Sequence, residues 1–408
     1  MRVLHVNEHL ELKGGVETYL LSLRPLLEAK GIQNHLVFGS GDPSLWPGAI
    51  EDRAIGSIRF RAEPKDRARL IERFRTAAPD VIHLHNVQSL SAFDAALAVA
   101  PTVLTTHDFR WICPANTFYF KRTREVCQRK GVGPMCFVET ATKKCLTPRP
   151  RAAAFFVRRA KHVIAESPKL KGVIAPSSAA RDRLVAAGFP SSILEVAPYF
   201  CPVTPRETAR PIPEKATITF LGRAAPNKGF ESFVEALGRL PRVEGIMAGS
   251  FSEGAQTEVR AIAERAGCAG RLSVEPWASR ARVLEIIDRT SVLVFPSLWP
   301  ETLGIVGLEA LARGVPVVAS DVGGVREWLR DGVNGVLVPP KDAAAIARGV
   351  TWLLRDPEEL LRVGREGLRT IREAFSPALH VERLTRVYER AAGRTATPRR
   401  APRRLPVL

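Results

Sequence analysis

Two cations and two carboxylates in the C-terminal half have the types and spacing to bind a phosphate and a polyhydroxyl group. Leu221-Gly222-Arg223 closes an apolar run, and Asn227-Lys228-Gly229 opens the amphipathic stretch after it, so Arg223 and Lys228 flank a strand-to-helix turn. Arginine offers a planar fork to phosphate oxygens and lysine a point charge, while a helix N-terminus adds unpaired N–H groups and a favourable dipole. The competing reading is two solvated surface cations. Further on, Pro296-Ser297-Leu298-Trp299-Pro300-Glu301 leaves a second apolar run, and Glu309 lies inside the apolar stretch 303–311. On a helix over 301–313 the two acids stand a little over two turns apart on roughly one side. A carboxylate accepts two hydroxyl donors, which suits a ribose or another sugar. Buried salt bridges are the other reading, but Arg223 and Lys228 cannot neutralise both acids and a diphosphate.

Three more groups stand out. His107-Asp108 follows an apolar run at 102–105, where the histidine has either a chemical role or a turn-capping one, and His83 and His85 alternate with Leu84 as a sheet-end pair. Asp321-Val322-Gly323-Gly324-Val325-Arg326-Glu327 has the composition of a turn before a helix. Four of the six cysteines, Cys113, Cys127, Cys136 and Cys145, crowd into residues 109–148, a Lys-, Arg- and Gly-containing stretch with little helical periodicity and too small for its own core. Zinc on four thiolates, an iron–sulfur cluster, paired disulfides and free thiols are the candidate chemistries.

Such residues need elements to hold them. Short β-rich runs alternate with amphipathic stretches nearly throughout, the signature of parallel sheets built from βαβ units. The first series has strands at 2–6, 34–38, 81–84, 102–105 and 173–175 with helices at 15–28, 66–77 and 91–98. Residues 198–215 contain five prolines, which resist helix and sheet and mark a linker. A second series follows, with strands at 217–221, 244–248, 272–274, 292–295 and 315–319, helices at 229–240, 256–266, 280–290 and 301–313, and a further segment at 325–330. Helices at 343–354, 357–375 and 377–392 end it, with Pro357 and Pro377 suited to first-turn positions. The reading is an α/β chain of two Rossmann-like parallel-sheet domains, 1–198 and 199–376, facing a cleft. A terminal helix at 377–392 returns to the first domain, and a basic tail occupies 393–408. In such sheets ligands gather at the carboxyl ends of the strands.

The bulk composition agrees with folded, soluble domains: 408 residues, 45% apolar and 25% charged, no run of about 18 apolar residues and no signal-type N-terminus. A cytoplasmic location is expected. The net charge of +18 favours anionic partners, including an acidic membrane face or a phosphorylated substrate. No recognisable nucleic-acid module is present, so nucleic acid is not an expected partner.

Taken together, Gly222-Arg223, Lys228-Gly229, the Glu301-x7-Glu309 pair and the 321–327 motif, with Gly14-Gly15-Val16-Glu17 and His107-Asp108, resemble the retaining glycosyltransferases of glycosyltransferase family 4, which have the GT-B fold. The resemblance spans most of the chain. It implies that Arg223 and Lys228 hold the diphosphate of a nucleotide-sugar donor, Glu309 its ribose and Glu301 its sugar. The backbone N–H groups of Thr302, Leu303 and Gly304 would face the phosphate or sugar, and the Gly14–Gly15 loop would approach it closely. His107 would face the donor sugar across the cleft. No cofactor is needed for the chemistry, and the chain has no Asp-x-Asp metal clamp. Retention is usually described as same-face attack with the leaving phosphate taking the proton, so no enzymic nucleophile is assigned.

Some members of that family carry a cysteine-containing insertion after this histidine, and Phe118, Tyr119, Phe120, Lys121, Arg122 and Arg124 suggest that it contacts the acceptor. The expected function is sugar transfer to a glycan or lipid-linked acceptor in cell-surface polysaccharide assembly, peripheral at an inner membrane face. A nucleotide-sugar epimerase and a non-catalytic sugar- or nucleotide-binding scaffold are the rivals.

Overall fold

The computed structural model describes residues 1–12, 15–58, 63–147, 149–208, 210–276 and 279–394. Chain order in the first half is β1 (Arg2–Leu10), α1 (Gly15–Glu28), β2 (Gln33–Gly41), β3 (Ile50–Glu51), α2 (Pro64–Thr76), β4 (Val81–Leu84), α3 (Leu90–Val99) and β5 (Thr102–Thr105). A small ribbon, β6 (Tyr119–Phe120) and β7 (Glu125–Val126), precedes α4 (Met135–Lys143), α5 (Pro150–Glu166), β8 (Gly172–Ala175), α6 (Ser178–Ala187) and β9 (Leu194–Val196). The seven-stranded sheet runs β3-β2-β1-β4-β5-β8-β9, with every pairing parallel. Strands such as Val-Ile-His-Leu at β4 and Thr-Val-Leu-Thr at β5 are buried on both faces, because helices cover a parallel sheet on either side.

The second half repeats the plan: β10 (Thr217–Leu221), α7 (Phe230–Gly238), β11 (Glu244–Ala248), α8 (Glu253–Arg265), β12 (Leu272–Glu275), α9 (Arg280–Arg289), β13 (Val292–Phe295), α10 (Ile305–Ala312), β14 (Val317–Ser320), β15 (Gly335–Val338), α11 (Ala343–Leu354), α12 (Pro357–Ala374) and α13 (Pro377–Ala391). Its parallel sheet is ordered β12-β11-β10-β13-β14-β15. In each sheet the strand order reverses beside the first strand, between β1 and β4 and between β10 and β13, which opens a crevice at their carboxyl ends.

α13 packs on α1 and β5. Its Tyr388 hydroxyl shares a 2.6 Å hydrogen bond with His83 Nδ1, and its His380 bonds the Tyr19 hydroxyl at 2.8 Å and the Pro198 carbonyl at 2.7 Å. The proline-rich 198–215 segment has no helix or strand among its described residues, yet Tyr199, Phe200, Cys201 and Val203 are buried in the apolar cluster that joins the two halves. The linker is therefore anchored at its first residues.

Several sequence boundaries differ. β1 continues to Leu10, because Asn7, His9 and Leu10 still find β2 and pair with Phe38, Ser40 and Gly41. The helix expected over 301–313 begins only at Ile305, since Gly304 takes φ +98°. The 325–330 segment is a short 3₁₀ turn at Gly323–Glu327. The cysteine-bearing stretch, read as lacking helical periodicity, contains α4, and α5, α6, β9 and β15 were not anticipated. The basic tail lies outside the described residues from 395 onward.

Candidate active site

The site assembles at the carboxyl ends of β10 and β13. After β10, Gly222 turns the chain at φ +144°, and Arg223 projects an exposed guanidinium that has no hydrogen-bond or ion-pair partner among the described residues. Lys228 closes a 3₁₀ turn at Pro226–Lys228, and Gly229 (φ +67°) starts α7 so close to the loop after β13 that a Cβ there would lie 1.9 Å from the Pro296 carbonyl oxygen. Only glycine fits, and the contact fixes Lys228 beside that loop.

Lys228 Nζ donates to Glu301 Oε1 at 2.7 Å, and the same oxygen accepts from Ser297 Oγ at 2.5 Å and Trp299 Nε1 at 2.6 Å. Glu301 is only 4% exposed, and the ammonium also stands 5.1 Å from the Trp299 ring centroid. Glu309, on α10, is equally buried and accepts from Arg280 Nη1 at 2.6 Å. Burial pushes its carboxyl above the ordinary range, with Arg280 offsetting part of that rise. Both acids are thus ion-paired, which corrects the reading that set salt bridges aside. They also do not share a helix face, because Glu301 lies in the loop before α10. Arg280 escaped the sequence reading. A cation at the first position of a helix opposes the dipole, and that mismatch was the available sign of a buried partner.

Between the acids, the N–H groups of Thr302, Leu303 and Gly304 donate to no described group, while the Leu303 carbonyl is taken by Trp328 Nε1 at 2.7 Å. Three free amides before a helix start form an anion-binding surface. The 321–327 motif braces this loop from behind. Gly323 (φ +52°) leaves no room for a Cβ, which would lie 2.3 Å from the Glu301 carbonyl oxygen, and Gly324 N donates to that oxygen at 2.7 Å. Glu327 reaches the other half, where its carboxylate accepts from Ser178 N at 2.5 Å in the first turn of α6. That position favours a negative charge.

Across the cleft, His107 follows β5, and its carbonyl accepts from Thr302 Oγ1 at 3.1 Å, which joins the two halves at the site. Its ring is occupied on both sides: Nε2 bonds His85 Nδ1 at 3.0 Å, and Nδ1 bonds the Tyr199 hydroxyl at 2.8 Å. The chain continues from His85 Nε2 to His5 Nδ1 at 3.0 Å and from His5 Nε2 to Asn34 Oδ1 at 3.0 Å. Because Asn34 Nδ2 donates to the Ile32 carbonyl at 2.9 Å, its Oδ1 faces His5, so His5, His85 and His107 all carry their proton on Nε2. Burial lowers the His107 pKa to about 3, so the imidazole is neutral near pH 7. His5, His83 and His85 bring ligand atoms within 4.8 Å of one another, but each ring nitrogen already has a hydrogen-bond partner. The group is a hydrogen-bonded cluster. Asp108 is held by Arg110, which also reaches Glu8 at 3.1 Å.

Gly14 lies outside the described residues. Gly15 opens α1, and the space where its Cβ would stand is empty. The insertion does not offer its aromatics to an acceptor: Phe118, Tyr119 and Phe120 are buried with Phe109 and Trp111, so the small segment borrows the core of the first domain. Instead it grips the other half. The Tyr119 hydroxyl donates to the Pro226 carbonyl at 3.1 Å, and Arg124 pairs with Glu231 on α7 at 3.0 Å and Glu258 on α8 at 3.3 Å. Cys113, Cys127, Cys136 and Cys145 are all unbridged.

Comparison with known proteins gives matches over both halves. The family described as Glycosyltransferase Family 4 matches residues 13–201, and that described as Glycosyl transferases group 1 matches residues 206–370. The D-inositol 3-phosphate glycosyltransferase of Mycobacterium marinum is 33% identical over 204 residues, covering 48% of this chain and 42% of that protein. The match thus spans less than half of that relative. The phosphatidyl-myo-inositol mannosyltransferase of Mycobacterium leprae is 28% identical over 404 residues, 94% of each chain. Among solved structures, Anabaena HepE, determined in complex with UDP, superposes with a TM-score of 0.70 at 18% identity, covering 95% of this chain and 99% of that one. That likeness is one of fold, with two Rossmann-like domains in the GT-B arrangement.

Proposed function

The chain belongs to the group 1 glycosyl transferases of glycosyltransferase family 4, and from that premise we propose that it moves a sugar from a nucleoside diphosphate donor to a glycan or lipid-linked acceptor, with retention of anomeric configuration. One observation carries the reading: Arg223, Lys228 and the free amides of Thr302, Leu303 and Gly304 converge on the crevice at the carboxyl ends of β10 and β13. Departure of the diphosphate builds negative charge on its oxygens, and cations already in place there lower the barrier. The ion pair between Lys228 and Glu301 gives the donor two partners at once: Lys228 turns to the phosphate, and Glu301 is left to accept sugar hydroxyls. Glu309, beside Arg280, suits the ribose. His107, neutral near pH 7 and bonded on both nitrogens, enters the reading as a fixed group of the first domain, and no nucleophile is assigned to it.

Thermal shift against UDP, GDP, ADP and their sugars tests this. One nucleoside diphosphate at 100 times its Kd is expected to stabilise the fold by about 2.7 kcal/mol. If none of the panel raises Tm, the donor reading falls. Incubation with the donor alone separates transfer from the epimerase alternative, which would generate a new sugar epimer without any acceptor.

A lipid-linked acceptor has its own support. α4 exposes Met135, Phe137 and Val138 at 45–49%, with Lys130 and Lys144 exposed nearby, so an apolar and cationic surface stands on the first domain. No helix among the described residues is long and apolar enough to cross a membrane. Vesicles containing anionic lipid are expected to sediment the protein at low salt and release it at high salt. The Phe137→Glu change should weaken that binding, and equal binding to neutral and anionic vesicles would remove the electrostatic component.

A further inference from the structure

The four clustered cysteines converge in space although their spacing has no short Cys-x2-Cys element. Cys113 follows the turn after His107, Cys127 follows β7, Cys136 sits in the first turn of α4 and Cys145 lies just past its end. All four line one cavity of about 30 Å³, with Ile112 and Phe118 among the apolar walls. Backbone N–H groups neighbour three of the sulfurs, those of Ala115, Thr117 and Phe118 at Cys113, of Arg129 at Cys127 and of Gly133 at Cys136 (3.5 Å), while the Thr140 hydroxyl, which donates to the Cys136 carbonyl at 2.7 Å, lies 3.7 Å from the Cys145 sulfur. Arg129 and Arg183 stand close enough to interact electrostatically with these thiols.

We propose that Cys113, Cys127, Cys136 and Cys145 form a four-thiolate site for a single zinc ion, which orders the insertion and holds its ribbon against the Pro226–Lys228 turn. Four sulfurs complete the tetrahedral coordination typical of structural zinc, and N–H donors to sulfur stabilise the thiolate form. The four sulfurs border a cavity of about 30 Å³, which has room for one ion. No three of the sulfurs lie mutually within 4.8 Å, so the ion must draw them inward. Cys136 and Cys145, at the two ends of the short, surface-lying α4, are the ligands best placed to shift. Zinc displaces four thiol protons to solvent without electron transfer, leaving a site of net charge −2 beside the Arg183 guanidinium and the Arg129–Glu139 ion pair at 2.6 Å.

The benefit is positional. The insertion buries its aromatics in the first domain but donates from Tyr119 to the carbonyl of Pro226, two residues before Lys228. Arg124 adds ion pairs to α7 and α8. A metal staple supplies the rigidity that so small a segment lacks on its own.

Metal analysis of the full chain, purified in reductant without chelator, is expected to give about one zinc per chain. Cys136→Ser and Cys145→Ser should lose most of it, and Cys268→Ala, in the other half, should retain it. Cobalt(II) exchanged into the unaltered chain should show the visible bands of tetrahedral thiolate coordination, which keeps the test independent of variants that fold poorly. Chelator treatment should open the 121–130 segment to trypsin. Iron with acid-labile sulfide, two disulfides in non-reduced protein, or four reactive thiols without metal would each overturn the site. An unchanged trypsin pattern after zinc removal would overturn its ordering role.

Discussion

Lys228→Ala is expected to lower kcat/KM for sugar transfer by about 10²–10³-fold, the usual cost of removing one group aimed at developing charge and equal to about 2.7–4 kcal/mol of barrier. The same change should also lower Tm, because it leaves the buried Glu301 carboxylate with Ser297 and Trp299 as donors and no cation. Arg223→Ala gives the contrast that isolates chemistry from folding. Its side chain is exposed and has no partner among the described residues, so Tm should stay within the scatter expected of surface changes while kcat/KM falls by a factor of about 10². Steady-state kinetics and melting of both variants decide the matter. Near-normal turnover in Arg223→Ala would remove that residue from the diphosphate site, and normal turnover in Lys228→Ala would remove the leaving-group role altogether.

The legibility of this chain in its sequence followed the range of the forces involved. The β10 and β13 strands were readable to the residue, because short β-branched and apolar runs bounded by Gly222 and Pro296 are a local signal. Arg223 and Lys228 were readable for the same reason, since a strand-to-helix turn is a local event. What failed was pairing at long sequence distance. Arg280 and Glu309 are 29 residues apart, and Glu327 and Ser178 are 149 apart, on different domains. Nothing in the spacing of either residue names its partner. The helix start at 305 was missed because an apolar run reads as helix until a glycine with positive φ breaks it, and Gly304 takes that conformation in order to present three free amides. The aromatics at 118–120 were read as a binding surface since nothing local showed that they would enter the core of the first domain.

The histidines were underread most, and they carry the second large effect: acidification from pH 7.5 to 5 is expected to destabilise the fold steeply. Burial lowers the pKa of His5 and His380 to about 4 and of His107 to about 3, and holds His83 and His85 well below 6.5. The sign follows from proton counting. Below about pH 6.5 the unfolded chain takes up protons that these folded histidines refuse, so stability is lost as pH falls, by up to about 1.4 kcal/mol per pH unit for each one that stays neutral. Two effects oppose it. His162, raised by its bond to Asp94, gains stability on protonation, and Glu17, Glu231 and Glu309, raised by burial, gain as pH falls through their folded values. His162 is partly exposed, and the five buried histidines outnumber the three raised acids, so the histidines set the direction of the change between pH 6.5 and 5. Denaturant titrations across that window measure the slope, and a flat profile would mean that the cluster opens to water. His380 gives the site-specific check. Its Nδ1 donates to the Pro198 carbonyl while Nε2 accepts from the Tyr19 hydroxyl, so a glutamine, with one donor and one acceptor end, can replace both bonds. His380→Gln should then fold near pH 7.5 and show a shallower slope below pH 6.5, because one group that titrates only in the unfolded chain is gone.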